Sequence, residues 1–374
     1  MTPLGRPVVP LEKGSTAIQA EMKDRMTKAP LIIPVFFPAM GCRERCLFCN
    51  QRALPGELPS PLSVRHFIEA SLPALPSEEK EREKQIAFYG GSFTAIHRDD
   101  QVRYLEEVRP FLTSGLMNSI RISTRPDALD EETLSLLKEY GVKTVEVGVQ
   151  SMNDEVLFFA RRGHCAADTA DAIFRLKDKN FEVGLQLMIG LPGDSCDRFL
   201  QTLDQVIELK PNFVRIHPTL VLKGAPLEML WEGGRYSPLP LDEAVQWLKK
   251  GILKLKNSSI RVARIGLQPT KELERDYLAG PYHPALHQLI DSAIFFDMAT
   301  SLLQRFQENG RVVFLCHPKE ISNLRGQRNE NILKLKKDFG LGEILIEGRQ
   351  ELPSGFLGLR TLQGEVSVQV KGRR

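Results

Sequence analysis

The chain has 374 residues, of which 42% are hydrophobic and 26% charged, with a formal net charge of +3. That length exceeds one small module and fits a barrel-type domain of roughly 200–250 residues with a smaller appendage, and the apolar content excludes a mainly disordered chain. No apolar stretch approaches the ~20 residues of a membrane span, and the N-terminus lacks the apolar core of a secretory signal, so the expected compartment is the cytoplasm, with no membrane partner.

Residues 1–30 mix Pro, Gly and charge without sustained periodicity and read as an irregular arm, with a short helix around Ile18–Met26. Leu31–Phe37 is an apolar run of strand length. Five more follow: Ile86–Tyr89, Ile120–Thr124, Thr144–Val149, Glu182–Ile189 and Phe213–Thr219. Between them, Val64–Leu75, Val102–Leu112, Glu131–Tyr140, Ala167–Lys177 and Phe199–Leu209 carry helical spacing. Strict alternation of this kind predicts βαβ units and a parallel α/β sheet, either open and doubly wound or a partial (β/α)6 TIM barrel. In both, chemistry collects at the C-terminal ends of the strands.

After Thr219 the pattern changes. Leu222–Pro240 is rich in Gly and Pro, Leu241–Leu255 reads as a helix, and Arg261–Leu267 is a candidate seventh strand. A long apolar helix, His283–Phe306, leads to a strand at Val312–Cys316, a basic helix at Glu330–Phe339, and strands at Glu343–Glu347 and Gly364–Val370. The expected division is an arm at 1–30, a barrel domain at 31–270 and a smaller α+β C-terminal domain at 271–374.

Six cysteines, three of them clustered, do not form a disulfide framework for a chain of this size; a reducing compartment and a metal site fit better. Cys42, Cys46 and Cys49 have the spacing C-x3-C-x2-C directly after the first strand. A loop there can wrap a cubane and offer three thiolates to three irons. A fourth iron left open can chelate the amino and carboxylate groups of a methionine moiety. The competing reading, a structural zinc site, wants four Cys or His ligands. The nearest further candidate, His66, sits inside a predicted amphipathic helix.

Gly90-Gly91 follows the second strand; paired glycines let backbone approach a ligand, and a plain turn needs the same residues. Ser123-Thr124-Arg125-Pro126-Asp127 closes the third strand, Val147-Gly148-Val149-Gln150-Ser151 the fourth, and Gln186 to Gly193 the fifth. The cysteine spacing, including Phe48 before the last cysteine, resembles the signature of the radical S-adenosylmethionine (SAM) superfamily, and Gly90-Gly91 resembles its glycine motif. That resemblance implies a [4Fe-4S] cluster on Cys42, Cys46 and Cys49, SAM as cofactor, reductive cleavage to a 5′-deoxyadenosyl radical, oxygen sensitivity, and a reducing partner such as ferredoxin or flavodoxin. The glycine motif implies SAM contacts from Gly90 and Gly91, and similarity to oxygen-independent coproporphyrinogen oxidases implies them from Ser123, Gln150, Arg162 and Gln186. Ser123 and Gln186 depart from the Glu and Asp that the related proteins often carry.

A closer resemblance runs through Arg121–Asp127, Val145–Ser151, Arg162-Gly163-His164, Gly190–Gly193, His217–Val221 and Leu230–Tyr236. Over about residues 31–267 the chain looks like the radical SAM half of the Elongator catalytic subunit, which modifies wobble uridine in tRNA. Residues 268–374 show no acyl-CoA loop, so the expectation is a stand-alone Elongator-like radical SAM enzyme without the acetyltransferase domain, with tRNA among the implied partners. A small molecule such as a tetrapyrrole is the alternative substrate, and a non-catalytic nucleic-acid-binding metalloprotein the alternative class.

Other residues have two readings each. Lys319, Arg325, Arg328, Lys334, Lys336 and Lys337 form a solvated helix face or an RNA-contacting patch. His217 ends the sixth strand, either facing substrate or structural before Pro218. His283 and His287 share a helical face if the helix begins at 283, as metal ligands or, more simply, as capping and packing. Tyr277 and Tyr282 line a pocket or pack. Cys165, Cys196 and Cys316 lack cluster spacing and read as small buried hydrophobes. Lys223 and Arg264 meet a phosphate or carboxylate, or lie on the surface.

Overall fold

The apolar runs form one parallel sheet in the computed structural model, which describes residues 9–10, 29–42, 45–51, 59–76, 82–306, 310–361 and 364–369. The helix expected around Ile18–Met26 lies outside these residues. The sheet's strands are β1 (Leu31–Phe37), β2 (Lys84–Gly90), β3 (Ser119–Thr124), β4 (Val142–Gln150), β5 (Glu182–Ile189), β6 (Phe213–Pro218) and β7 (Arg261–Ile265). They are hydrogen-bonded in that order, each parallel to the next. The candidate strand after position 260 is real, so the sheet has seven strands rather than six.

A sheet whose spatial order equals its chain order has no switch point. Right-handed crossovers then put every connecting helix on one side, and the sheet curls into a half barrel. The helices are α1 (Pro61–Ser71), α2 (Arg98–Thr113), α3 (Glu131–Glu139), α4 (Asp154–Phe159), α5 (Ala166–Asp178) and α6 (Cys196–Leu209). Side-chain caps start several of them: the Ser60 hydroxyl accepts from Ser63 N at 3.2 Å, Asp130 from Thr133 N at 2.8 Å and Asn153 from Val156 N at 3.1 Å. Such caps contribute about 1 kcal/mol each.

Alternation along the strands separates two environments. Ile120 and Ile122, Val145 and Val147, Leu185 and Leu187, and Val214 and Ile216 point to the helices and are fully buried. Each contributes about 1.5–3 kcal/mol by leaving water. The opposite face is the barrel interior, and there the same strands present Gln85, Tyr89, Arg121, Ser123, Glu146, Gln186 and Arg215. Its floor is closed by Phe213, which fills the space over Gly184 and lies between the Arg121 and Arg261 guanidinium groups, 5.1 and 4.9 Å from the ring centroid.

Contacts divide the chain into two compact units: Thr27–Ala244 with Ile260–Pro284, and Met1–Met26 with Val245–Ser259 and Ala285–Arg374. In the second, β8 (Arg311–Cys316), β9 (Glu343–Gly348), β10 (Phe356–Thr361) and β11 (Gly364–Gln369) form a sheet in the order β11-β10-β8-β9, with Val9–Pro10 on the β11 edge. Helix Leu286–Phe306 buries Ile290, Ile294, Phe295, Met298 and Leu302. Its Ser292 accepts from the Asn331 amide of helix Glu330–Phe339 at 3.0 Å. No helix among the described residues is long and apolar enough to cross a membrane.

Candidate active site

The loop leaving β1 is held from three directions. Gln51 Oε1 accepts from Ala39 N at 2.9 Å, Leu47 N donates to the Ala160 carbonyl at 3.1 Å, and Leu227 N donates to the Leu47 carbonyl at 2.8 Å. Leu47 packs with Val221, Leu227 and Tyr236, while Phe48 packs against Val156, Ala160 and Leu191. The loop therefore presents Cys42, Cys46 and Cys49 at the C-terminal mouth of the half barrel, where a parallel sheet gathers its chemistry.

Arg162, buried just after α4, binds two of the elements expected at this site. Its Nη1 donates to Cys46 Sγ at 3.0 Å and its Nη2 to the Gly148 carbonyl at 2.5 Å, with the guanidinium over the Phe48 ring at 6.0 Å. Burial pushes the Cys42 and Cys49 thiols up, and the neighbouring Cys46 sulfur adds to the shift; Arg162 opposes it at both, and Arg125 at Cys42. The mouth thus supplies the positive charge that thiolate ligands need. Buried Arg162 Nε has no hydrogen-bond partner among the described residues, and neither His164 ring nitrogen makes an aligned hydrogen bond. Burial, together with Arg162 and Arg125, pushes the His164 pKa down to about 4.

The other expected residues fall around the same mouth. Gly90 ends β2, and a Cβ on Gly91 would lie 2.0 Å from the Met40 carbonyl oxygen, so only glycine lets β2's end pass this close to the cysteine loop. Gln150 ends β4 with φ of 68°, and Ala39 and Arg161 also adopt the left-handed region at 54° and 53°. Strain at three non-glycine residues around one site costs about 1 kcal/mol or more apiece and is the kind of feature that binding sites retain. A Cβ on Gly148 would touch Gln150 Nε2 at 3.2 Å and Arg162 Nη2 at 3.3 Å, so these two side chains converge over bare backbone. Ser123 and Gln186 meet at 3.4 Å on the interior face. A small cavity beside them is lined by Phe37, Met40, Phe88, Tyr89, Gly91, Phe93 and Ser123.

Beneath lies a polar core that the sequence reading did not single out. Glu146, fully buried on β4, accepts at Oε1 from Tyr89 OH (3.1 Å) and Arg121 Nη1 (2.7 Å). At Oε2 it accepts from Gln186 Nε2 at 3.1 Å and pairs with Arg215 Nε at 3.1 Å. Ser123 is its register partner on β3, so the carboxylate missing from Ser123 and Gln186 stands one strand away and binds Gln186 directly. The signal was present: polar residues at every second position of strands that are otherwise apolar, as in Thr144-x-Glu146-x-Gly148, mark an inward polar face.

Other candidates resolve differently. Helix Leu286–Phe306 begins three residues later than expected, so His283 is not on it and the shared helical face of His283 and His287 does not exist; His287 lies 3.8 Å from Asp291. Tyr277 and Tyr282 pack together at 5.5 Å, and the Tyr277 hydroxyl donates to the Gly280 carbonyl at 2.7 Å. Cys165 and Cys196 sit at helix starts, and Cys316 is buried at the end of β8. Lys223 is exposed. His217 Nδ1 lies 3.0 Å from the Gly266 carbonyl on the interior side of β6. In the basic helix, Lys334 pairs with Glu330 and Lys336 donates to the Gly342 carbonyl at 3.0 Å. Among the described residues no three His, Cys, Asp or Glu side chains could hold a single metal ion. A cubane asks for a different arrangement, one thiolate at each of three separate irons.

A parallel half barrel with a cysteine loop on its first strand defines a class, and the chain belongs to it: residues 37–206 match the radical SAM superfamily and residues 211–295 the radical SAM C-terminal domain. The family implies SAM and an iron–sulfur cluster. Among curated proteins it is similar to a tRNA uridine(34) acetyltransferase of Methanocaldococcus jannaschii, 36% identical over 128 residues, which is 33% of this chain and 24% of that protein. It is also similar to human Elongator complex protein 3, 26% identical over 236 residues, 58% of this chain and 42% of that one. The matches thus span less than half of these relatives' lengths. Among solved structures, an archaeal Elp3 from Methanocaldococcus infernus with an N-terminal deletion shares the fold with a TM-score of 0.53 at 21% identity, covering 74% of this chain and 64% of that one.

Proposed function

We propose that this chain binds a [4Fe-4S] cluster through Cys42, Cys46 and Cys49, binds SAM at the adjoining mouth of the half barrel, and cleaves it reductively in the course of modifying tRNA. The observation that carries the reading is the Arg162 bridge, in which one guanidinium ties the cysteine loop, through Cys46 Sγ, to the end of β4, through the Gly148 carbonyl. When bound, the cluster would be held by the three cysteine thiolates and would supply the electron for cleavage of SAM to methionine and a 5′-deoxyadenosyl radical, which takes a hydrogen atom from the substrate.

The remaining work belongs to the chain. Gly91 admits the methionine moiety to backbone donors and acceptors at the end of β2, and Gly90 turns the chain there. Gln150 and Arg162 hold polar groups of SAM over Gly148; Gln186, fixed by Glu146, and Ser123, which accepts from Gln186, offer an amide oxygen and a hydroxyl to the nucleoside. Phe48, Leu47 and their packing partners keep water from the mouth. Reduction requires a donor of the ferredoxin or flavodoxin kind. The names of two relatives, one a tRNA uridine acetyltransferase and the other Elongator complex protein 3, support tRNA as substrate.

The test is anaerobic reconstitution with iron and sulfide, reduction by dithionite and incubation with SAM, with and without tRNA. The expected result is 5′-deoxyadenosine whose formation rises with tRNA. A reducible cluster that yields no 5′-deoxyadenosine sinks the enzyme reading, and cleavage indifferent to tRNA removes the RNA half.

A further inference from the structure

Glu146 accepts three hydrogen bonds, from Tyr89, Arg121 and Gln186, and pairs with Arg215 Nε at 3.1 Å without an aligned hydrogen bond. Arg121 and Arg215 already share its single negative charge. A third guanidinium, Arg264 on β7, is the register partner of Arg215 and so faces the same interior. Its head group donates to the Gln268 side-chain oxygen, and among the described residues no carboxylate lies within ion-pair distance of it. Burial and the Arg215 charge push its pKa down, the mark of a cation without compensation. His217 carries no charge here, since burial, Arg215 and Arg264 keep its ring neutral, with a pKa of about 4.

Arg121, Arg215 and Arg264 therefore share the interior face of the sheet, and among the described residues Glu146 is the one carboxylate that pairs with any of them. A partly desolvated charge is unfavourable until an opposite charge joins it. The planar fork of arginine matches the two oxygens of a carboxylate or phosphate. We propose that Arg264, with Arg215 beside it, is a binding site for an oxyanion, phosphate or carboxylate, carried by the substrate into the barrel. The inference rests on reading the barrel interior as the reaction chamber, and it adds a charge to the substrate's required chemistry. An alternative source of the same oxyanion is the carboxylate of SAM itself.

The two sources separate by titration calorimetry of the cluster-reconstituted protein at constant ionic strength. Inorganic phosphate and SAM are titrated separately into wild type, R264Q and R264K. The site predicts saturable phosphate binding to wild type, weakened at least about tenfold in R264Q and less in R264K, which keeps the charge but loses the fork. SAM affinity should be the same in all three. Phosphate affinity equal in wild type and R264Q, or no saturable binding to wild type, overturns the proposal. So does SAM affinity that falls in R264Q, because Arg264 then holds the SAM carboxylate. If R264Q does not fold by circular dichroism, R264K carries the same comparison. Formation of 5′-deoxyadenosine in the same samples keeps the two readings apart: cleavage without phosphate binding contradicts the oxyanion site alone, and phosphate binding without cleavage contradicts the radical reading alone.

Discussion

Replacing Glu146 by Gln tests whether the barrel interior is organised by one charge. The side chain is fully buried and makes four polar contacts, two of them with guanidinium groups. An amide keeps one oxygen, enough for Tyr89 and Arg121, but turns an NH2 toward the Gln186 amide nitrogen and Arg215 Nε, setting donor against donor. Both arginines lose their counter-charge. Removing one partner from a buried ion pair costs about 3–5 kcal/mol. Tyr89→Phe removes one hydrogen bond from the same carboxylate and the acceptor of Arg215 Nη2 at 3.1 Å, but leaves the charge pairs intact, and should cost about 1–2 kcal/mol. Trp231 lies in the barrel unit and Trp247 in the other, so a Trp247→Phe background leaves fluorescence that reports barrel unfolding. Urea melts of E146Q and Y89F in that background measure the two costs. An E146Q variant within about 1 kcal/mol of its parent would refute the claim that Glu146 is the hub.

Three other outcomes follow from named contacts. Arg162→Gln loses the donor to Cys46 Sγ and the Gly148 carbonyl, and SAM affinity measured at equilibrium should fall about tenfold or more; unchanged affinity removes Arg162 from the site. Gly91→Ala places a Cβ 2.0 Å from Met40 backbone oxygen, so iron retained after reconstitution should drop sharply, and full retention contradicts the close approach. His217 has a folded pKa of about 4, below its ordinary value near 6.5. The fold thus favours the neutral ring, and its contribution is complete above pH 6.5 and lost as pH falls from there through about 4, because the unfolded chain takes up the proton first. The loss by pH 5 is on the order of 1–2 kcal/mol. Melts at pH 7 and pH 5 should show a smaller decline in His217→Asn than in wild type, and equal declines would show that the ring is not held neutral.

The barrel was legible because each of its first six strands is an apolar run punctuated by polar or Gly/Pro residues, and tertiary structure added nothing that contradicted it. Strand β7 was harder to read: Arg261-Val262-Ala263-Arg264-Ile265 pairs on one side only, so it carries the alternation of an edge rather than a continuous apolar run. Helix α4 has six residues, too few for a periodic signal. Strand β10 contains Gly358 and Arg360, which hid it. At the site, the cysteine triplet and Gly90-Gly91 announced themselves by local spacing. Glu146, Arg121, Tyr89 and Arg215 did not, because they are far apart in sequence and meet only when the sheet curls. Arg264 reads in the sequence as a basic residue near a strand end, but its lack of a carboxylate partner among the described residues appears only once the sheet sets it beside Arg215.

The central claim is that Cys42, Cys46 and Cys49 hold a cluster with one iron free to take SAM. The most direct measurement is the electron paramagnetic resonance spectrum of the reconstituted, dithionite-reduced protein before and after SAM is added. The expected result is a [4Fe-4S]+ signal whose g-values shift on SAM addition, and which Cys46→Ala lacks. A spectrum that SAM leaves unchanged, or a signal that survives in Cys46→Ala, would contradict it.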